Sequence, residues 1–71
     1  MFFKENLLYL IKTNNYKKIK LAEKLGITRQ AITDLMKTTD PRASTIIKIS
    51  KLFNVSIDDL LLKDLEKEQL L

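Results

Sequence analysis

Apolar residues recur along the chain at the three- and four-residue spacing of helices that bury one face. Five such stripes follow one another, separated by turn-forming residues. The chain has one glycine and one proline, too few for the many tight turns of a β fold. We therefore predict an all-α fold of five helices. Their inward-facing residues are, in chain order, Phe3, Leu7, Leu10 and Ile11; Leu21, Ala22 and Leu25; Ile32, Leu35 and Met36; Ile46, Ile49, Leu52 and Phe53; and Ile57, Leu60 and Leu61. The last helix also carries Leu62 and Leu65, which lie around its side.

Local signals mark the ends of these helices. Gly26 can end a helix in the left-handed conformation, and Thr28 can cap the helix that follows. Pro41 favours extended backbone in the residue before it, which predicts a loop there. Ser56 and Asp59 have the spacing of a capping box and predict the start of a long last helix. The predicted helices span about residues 3–13, 18–25, 29–37, 43–53 and 56–69.

The composition argues against catalysis and metal binding. The 71 residues include no cysteine and no histidine, which excludes a disulfide, a thiolate metal site and an imidazole base. We therefore expect no cofactor, no metal ion and no enzymatic activity. The longest apolar run, residues 7–11, is far shorter than the ~20 residues of a membrane span. The N-terminus lacks the pattern of a signal peptide, so we expect a cytoplasmic location with no membrane association.

Charge is distributed unevenly along the chain. The net charge is +4. Residues 1–57 contain eleven basic and four acidic side chains, a net charge of +7, whereas residues 58–71 contain two lysines and five acidic side chains, a net charge of −3. A basic body attracts a polyanion such as nucleic acid, and an acidic tail would lie away from it.

The segment 18–36 contains two short predicted helices joined by a tight turn. The turn, Leu25 to Thr28, is about as long as those that set two helices at a steep angle. Ala22 is small enough to let the helices approach closely near this turn. In a DNA-binding helix-turn-helix, the second helix enters the major groove with its N-terminal residues, while the first crosses the backbone.

A longer pattern extends from this helix pair to the predicted fifth helix. Its residues are Leu21-Ala22-Glu23-Lys24-Leu25-Gly26-Ile27-Thr28-Arg29-Gln30, Ile32, Leu35, Pro41, Thr45-Ile46-Ile47-Lys48-Ile49-Ser50-Lys51-Leu52-Phe53 and Asn54-Val55-Ser56-Ile57-Asp58-Asp59-Leu60. The pattern resembles the lambda-repressor/Cro-type helix-turn-helix family, also called the XRE family, over residues 5–62. This resemblance implies a five-helix DNA-binding domain that acts in transcription as a dimer on an operator. Residues 63–71 would be a helical tail of the same single domain, 1–71.

The sequence departs from the family pattern at a few positions. Lys18 stands where the family usually has a glutamine at the start of the second helix, which braces the recognition helix against a phosphate, and Lys17 replaces a serine or threonine cap. Ile11 and Met36 form an apolar pair in place of an arginine and a glutamate. Thr38 replaces a glycine, and a β-branched residue tolerates positive φ poorly. We therefore expect a different loop after the third helix.

The resemblance and the residue chemistry together indicate which side chains would contact DNA. Gln30 can bind adenine through two hydrogen bonds, and Arg29 can bind guanine or phosphate. Thr33 and Ala31 could contact a thymine methyl group. Asp34 could accept from cytosine, although a pair with a lysine three residues later is favoured. The predicted contacts to phosphate are Lys17, Lys18, Thr28, Lys37, Thr39 and Arg42.

The leading hypothesis is a homodimeric repressor that binds a palindromic operator. Leucines at helical spacing in the predicted fifth helix favour a dimer seam there, although they could instead complete the monomer core. The expected seam residues are Leu62, Leu65, Leu61 and Asp58, with Leu70 and Leu71 beyond them. Two alternatives remain: an antitoxin-like protein whose tail binds a toxin, and a helical interaction module with no role in DNA binding.

Overall fold

The computed structural model describes residues 1–69, which form six helices and no strand. Leu70 and Leu71, which the sequence adds to the dimer seam, lie outside the described residues. The all-α prediction is therefore confirmed for residues 1–69, but the expected count of five helices is wrong. The helices are α1 Phe3–Thr13, α2 Lys18–Leu25, α3 Arg29–Leu35, α4 Ala43–Phe53, α5 Ile57–Leu62 and α6 Leu65–Gln69.

The first four helices begin where the sequence predicts, because their boundaries depend on local chemistry. Thr28 caps α3, since its hydroxyl accepts from the N–H of Ala31 at 3.0 Å. α3 ends at Leu35, two residues before the predicted end. The chain tightens there: the Asp34 carbonyl accepts from the N–H of Lys37, three residues on, at 3.1 Å.

The predicted long fifth helix is interrupted at Lys63, whose backbone is extended (φ −100°, ψ 149°). The cause is Asn6, a side chain of α1 that is 1% exposed. Its Nδ2 donates to the carbonyls of Leu60 at 2.7 Å and Lys63 at 2.6 Å, and its Oδ1 accepts from the N–H of Leu65 at 3.0 Å. Asn6 thus provides hydrogen-bond partners for backbone groups at the end of α5 and at the start of α6.

Two further hydrogen bonds stabilise this arrangement of α5 and α6. The N–H of Phe2 donates to the carbonyl of Leu61 at 2.7 Å, which ties the N-terminus to the last turn of α5. The carboxylate of Asp64 accepts from the N–H of Lys67 at 3.2 Å and caps α6. Backbone groups on both sides of the break between the two helices therefore have hydrogen-bond partners.

The core receives side chains from each of α1 to α5. Its buried apolar members are Phe3, Leu7, Leu10, Leu21, Ala22, Leu25, Ile32, Leu35, Ile49 and Leu60, all of which the helical stripes predict. Ile11 and Met36 are half-buried and pack against this cluster. Ile57, predicted to face inward, is instead 40% exposed, because it lies at the first position of α5.

Candidate nucleic-acid interface

The turn between α2 and α3 has a conformation that glycine favours. Gly26 has a φ of 69°, in the left-handed region, and the N–H of the next residue, Ile27, donates to the carbonyl of Ala22 at 3.0 Å. No atom lies within 4 Å of the position that a Cβ would take at Gly26. The backbone conformation, and not lack of space, therefore favours glycine here.

Packing against α2 fixes which face of α3 is exposed. Ile32 and Leu35 are buried in the core shared with α2. Arg29, Gln30 and Asp34 are exposed on the outer face. Ala31 and Thr33, the other two predicted base contacts, are half-buried. The predicted base contacts thus lie at or beside the surface of α3 along most of its length.

A surface cleft lies between the starts of α2 and α3. It brings together five predicted contact residues and one further side chain, and its lining consists of Lys17, Lys18, Ile19, Arg29, Gln30 and Thr33. Three of these carry a positive charge, and none of the described residues that line the cleft is acidic. The cleft is therefore a site of positive potential bordered by hydrogen-bonding side chains, which suits an anion.

Lys18 connects the two helices across this cleft. Its Nζ donates to the hydroxyl of Thr33 at 3.3 Å, and that hydroxyl in turn donates to the carbonyl of Arg29 at 3.3 Å. A threonine hydroxyl has a single hydrogen, which this second bond uses. Thr33 therefore keeps an acceptor and a methyl group for any ligand, but no donor.

Asp34 accepts a hydrogen bond from Gln30 and forms no ion pair with Lys37. The Nε2 of Gln30 donates to Oδ1 of Asp34 at 3.0 Å, between residues four positions apart on one helix face. The expected pair with Lys37 is absent from the ion pairs of residues 1–69. Asp34 and Lys37 do not pair because α3 ends at Leu35, so that Lys37 lies in the following turn and not on the same helix.

The remaining predicted phosphate contacts are more dispersed. Arg42 lines a neighbouring cleft with Ala31 and Asp34, on the other side of α3. Thr39 lies in a third cleft, beside the start of α1. Lys37 is exposed in the turn after α3, and the hydroxyl of Thr28 is the acceptor that caps that helix. The structure thus brings Lys17 and Lys18 to the starts of α2 and α3, and leaves Thr39 apart from them.

Ile19 is a member of the cleft that lies outside the predicted site residues. Its side chain is 58% exposed, which is unusual for an isoleucine on a short amphipathic helix. The signal in the sequence is its position: the apolar stripe of α2 consists of Leu21, Ala22 and Leu25, and Ile19 falls off that stripe. It offers an apolar contact beside the cationic side chains.

The predicted dimer residues do not share one helical face. Leu62 and Asp58 are exposed on α5, and Leu62 is 68% exposed. Leu61 is half-buried against the core. Leu65 begins α6 and packs against the core, because the chain turns at Lys63. A continuous seam of Leu62 and Leu65 on one helix is therefore not formed.

Residues 1–69 lack the features of a membrane span and of a metal site. No helix in this part of the chain has the length and apolar character needed to cross a membrane. The same residues contain no cluster of three or more acidic, cysteine or histidine side chains that could hold a metal ion.

Comparison with protein families identifies the class to which this fold and cleft belong. A family model described as helix-turn-helix matches residues 7–60, so the chain belongs to the helix-turn-helix family. This confirms the resemblance drawn from the sequence. The family acts in DNA-binding transcription regulation and is typically not enzymatic. Searches of curated proteins and of solved structures gave no match.

Proposed function

We propose that this protein is a sequence-specific regulator of transcription, a repressor, that binds double-stranded DNA as a homodimer and reads the major groove with α3. α2 and α3 are the two helices of the proposed helix-turn-helix. The observation that carries this proposal is the cleft between their starts, which joins three positive charges to the exposed Gln30. A phosphate backbone supplies the matching negative charge, and a base edge supplies the partner for an amide.

The proposed contacts fall into two groups. Gln30, Arg29 and Thr33 project from the exposed side of α3 near its start and are proposed to face the bases, with Ala31 and Asp34 beside them. The second group is proposed to contact phosphates, which fixes the register of the protein but carries no sequence information. That group consists of Lys17, Lys18, Thr28, Lys37, Thr39 and Arg42, of which Thr39 lines a separate cleft beside the start of α1.

The proposed dimer forms through α5. Leu62 supports this proposal, because a leucine with most of its surface in water gains from burial against a second copy. Asp58 and Leu61 would border that contact, and Leu65 would support it from within the core. A two-fold dimer places two copies of α3 on half-sites about 34 Å apart, which predicts a palindromic operator.

The exposed Leu62 also favours one alternative. An apolar side chain beside an acidic segment suits a protein partner as well as a second copy, which agrees with an antitoxin-like protein whose C-terminal part binds a toxin. The purely protein-binding module is less favoured, since the exposed face of α3 carries Arg29 and Gln30 and no large apolar side chain. The molecular mass of the purified protein in solution separates a homodimer from a monomer that awaits another partner.

The proposal predicts DNA affinity that falls steeply as salt rises, because each neutralised phosphate adds about 0.9 to the slope of log affinity against log salt. Affinity for a labelled duplex is measured at several salt concentrations for the native protein and for Lys18→Ala. We expect Lys18→Ala to weaken binding to all duplexes similarly and to reduce the slope by about 1.

Lys67→Ala is the matched control, since it removes the same charge from an exposed position on α6. We expect this variant to keep nearly the native affinity and slope. Equal losses in the two lysine variants would show that only net charge matters. Absence of DNA binding even at low salt would refute the proposed function.

A further inference from the structure

The hydrogen bond between Gln30 and Asp34 determines which way the Gln30 amide faces. A carboxylate can only accept hydrogen bonds, so the atom of Gln30 that lies 3.0 Å from Oδ1 of Asp34 has to be the amide nitrogen. The amide oxygen is then on the other branch of the side chain.

The same bond changes what Gln30 can offer to a base. An amide NH₂ has two hydrogens, and Asp34 uses one of them. Gln30 therefore keeps one N–H donor and one oxygen acceptor. Both residues are exposed, so this remaining pair of groups is accessible to a ligand.

One donor and one acceptor match the edge of adenine in the major groove. Adenine presents an acceptor at N7 and a donor at N6, whereas guanine presents two acceptors, N7 and O6. A glutamine with both hydrogens free could satisfy both guanine acceptors. With one hydrogen held by Asp34, Gln30 can satisfy only one of them, and its oxygen would lie against the other.

We propose that Asp34 is a positioning residue that makes Gln30 select adenine over guanine. This inference rests on the proposed function, in which Gln30 reads a base. It also accounts for an acidic side chain on the exposed side of α3, where it opposes binding to phosphates. Asp34 thus lowers affinity for DNA in general while it increases the difference between two bases.

Two substitutions separate the hydrogen bond from the charge. Asp34→Ala removes both, whereas Asp34→Asn removes the charge but keeps an oxygen that can accept from Gln30. Because Asp34 is exposed, we expect both variants to fold, which circular dichroism checks. Both should bind random duplex DNA more tightly than the native protein does, since both lose the same negative charge.

The test is selection of bound duplexes from a randomised pool, with the native full-length protein, Gln30→Ala and the two Asp34 variants. The base pair read by Gln30 is the one whose preference disappears in Gln30→Ala. At that position we expect the native protein to favour adenine over guanine by at least about fivefold, the lower end for one two-bond contact. Asp34→Ala should bring this ratio close to one, and Asp34→Asn should keep it.

Each other outcome counts against a specific step. If Asp34→Ala keeps the native ratio, or if Asp34→Asn loses it as well, Asp34 does not act through its hydrogen bond and the inference fails alone. A preference for a base other than adenine at that position also overturns it. If Gln30→Ala leaves the selected sequence unchanged, or the native protein selects no sequence, the proposed base reading fails and the inference fails with it.

Discussion

Asn6 shows how one buried polar side chain can determine where a helix ends. Among the fully buried side chains of residues 1–69, Asn6 is the polar one. Its side-chain amide forms hydrogen bonds with three backbone groups, the carbonyls of Leu60 and Lys63 and the N–H of Leu65. A buried carbonyl that loses its partner costs about 1–3 kcal/mol. The identity of this residue therefore matters far more than that of a surface asparagine.

We predict that Asn6→Ala lowers the free energy of unfolding by about 2–4 kcal/mol, because it leaves the carbonyls of Leu60 and Lys63 and the N–H of Leu65 without their partner. Urea unfolding followed by circular dichroism measures the change. Asn14→Ala is the matched control. Asn14 is exposed and donates to the carbonyl of Leu10 at 2.8 Å, so its loss should cost about 1 kcal/mol or less. Equal costs for the two variants would contradict this role of Asn6.

Part of the role of Asn6 is visible in the sequence. Residues 3, 6, 7 and 10 share one face of a helix, so a polar residue at position 6 lies on the apolar face and needs buried partners. Its partners are more than fifty residues away, and no periodicity indicates them. The Gln30–Asp34 hydrogen bond is different, because residues four apart on a helix are neighbours and their pairing can be predicted from the sequence. The spacing of Asp34 and Lys37 nevertheless suggested another pair.

A helix boundary can be predicted from the sequence when the interactions that set it are local. α1 to α4 begin where the sequence predicts, since caps, turns and stripes act within a few residues. The interruption between α5 and α6 depends on α1, and it is the point at which the prediction fails. The stripe of the predicted fifth helix continued through Leu65, which remains against the core even though the helix is broken. The stripe did not decide between a dimer seam, which was favoured for Leu65, and the core, and the continuous helix that it predicted is wrong.

The turn between α2 and α3 is the element that orients the proposed recognition helix. We predict that Gly26→Ala destabilises the protein by about 1–2 kcal/mol, because a residue with a Cβ is strained at a φ of 69° although no atom obstructs it. Gly26→Asn should cost less, since asparagine tolerates this conformation. The chain itself has Asn54 at a φ of 54°. Urea unfolding of both variants measures the difference, and a larger loss for asparagine than for alanine would refute the conformational explanation.

At the scale of the whole molecule, the cationic cleft and the exposed Leu62 lie on different elements. The cleft with three cations belongs to the starts of α2 and α3, whereas Leu62 and the acidic segment 58–68 belong to α5 and α6. A molecule built this way can bind a polyanion with one part and a protein with another. The charge distribution along the sequence predicts this division, but only the fold tells which leucine is exposed and which is packed.

The structure separates the two leucines of the predicted seam, and so it predicts different results for them. Leu62→Asp should leave the fold intact and convert the proposed dimer into a monomer, because Leu62 is 68% exposed and a charge there opposes burial against a second copy. Leu65→Asp should instead lower the free energy of unfolding by about 2 kcal/mol, since Leu65 packs against the core. Analytical ultracentrifugation measures the first effect and urea unfolding the second.

The monomer formed by Leu62→Asp should also bind a palindromic duplex much more weakly than the native protein does, while its affinity for a single half-site stays close to native. This difference arises because two linked copies of α3 bind two half-sites at a high effective concentration, and a monomer loses that gain without losing any contact to DNA. A Leu62→Asp protein that remains dimeric would place the interface away from α5. A native protein that is monomeric at all concentrations and binds only a half-site would refute the dimer, yet leave the reading of bases by α3 intact.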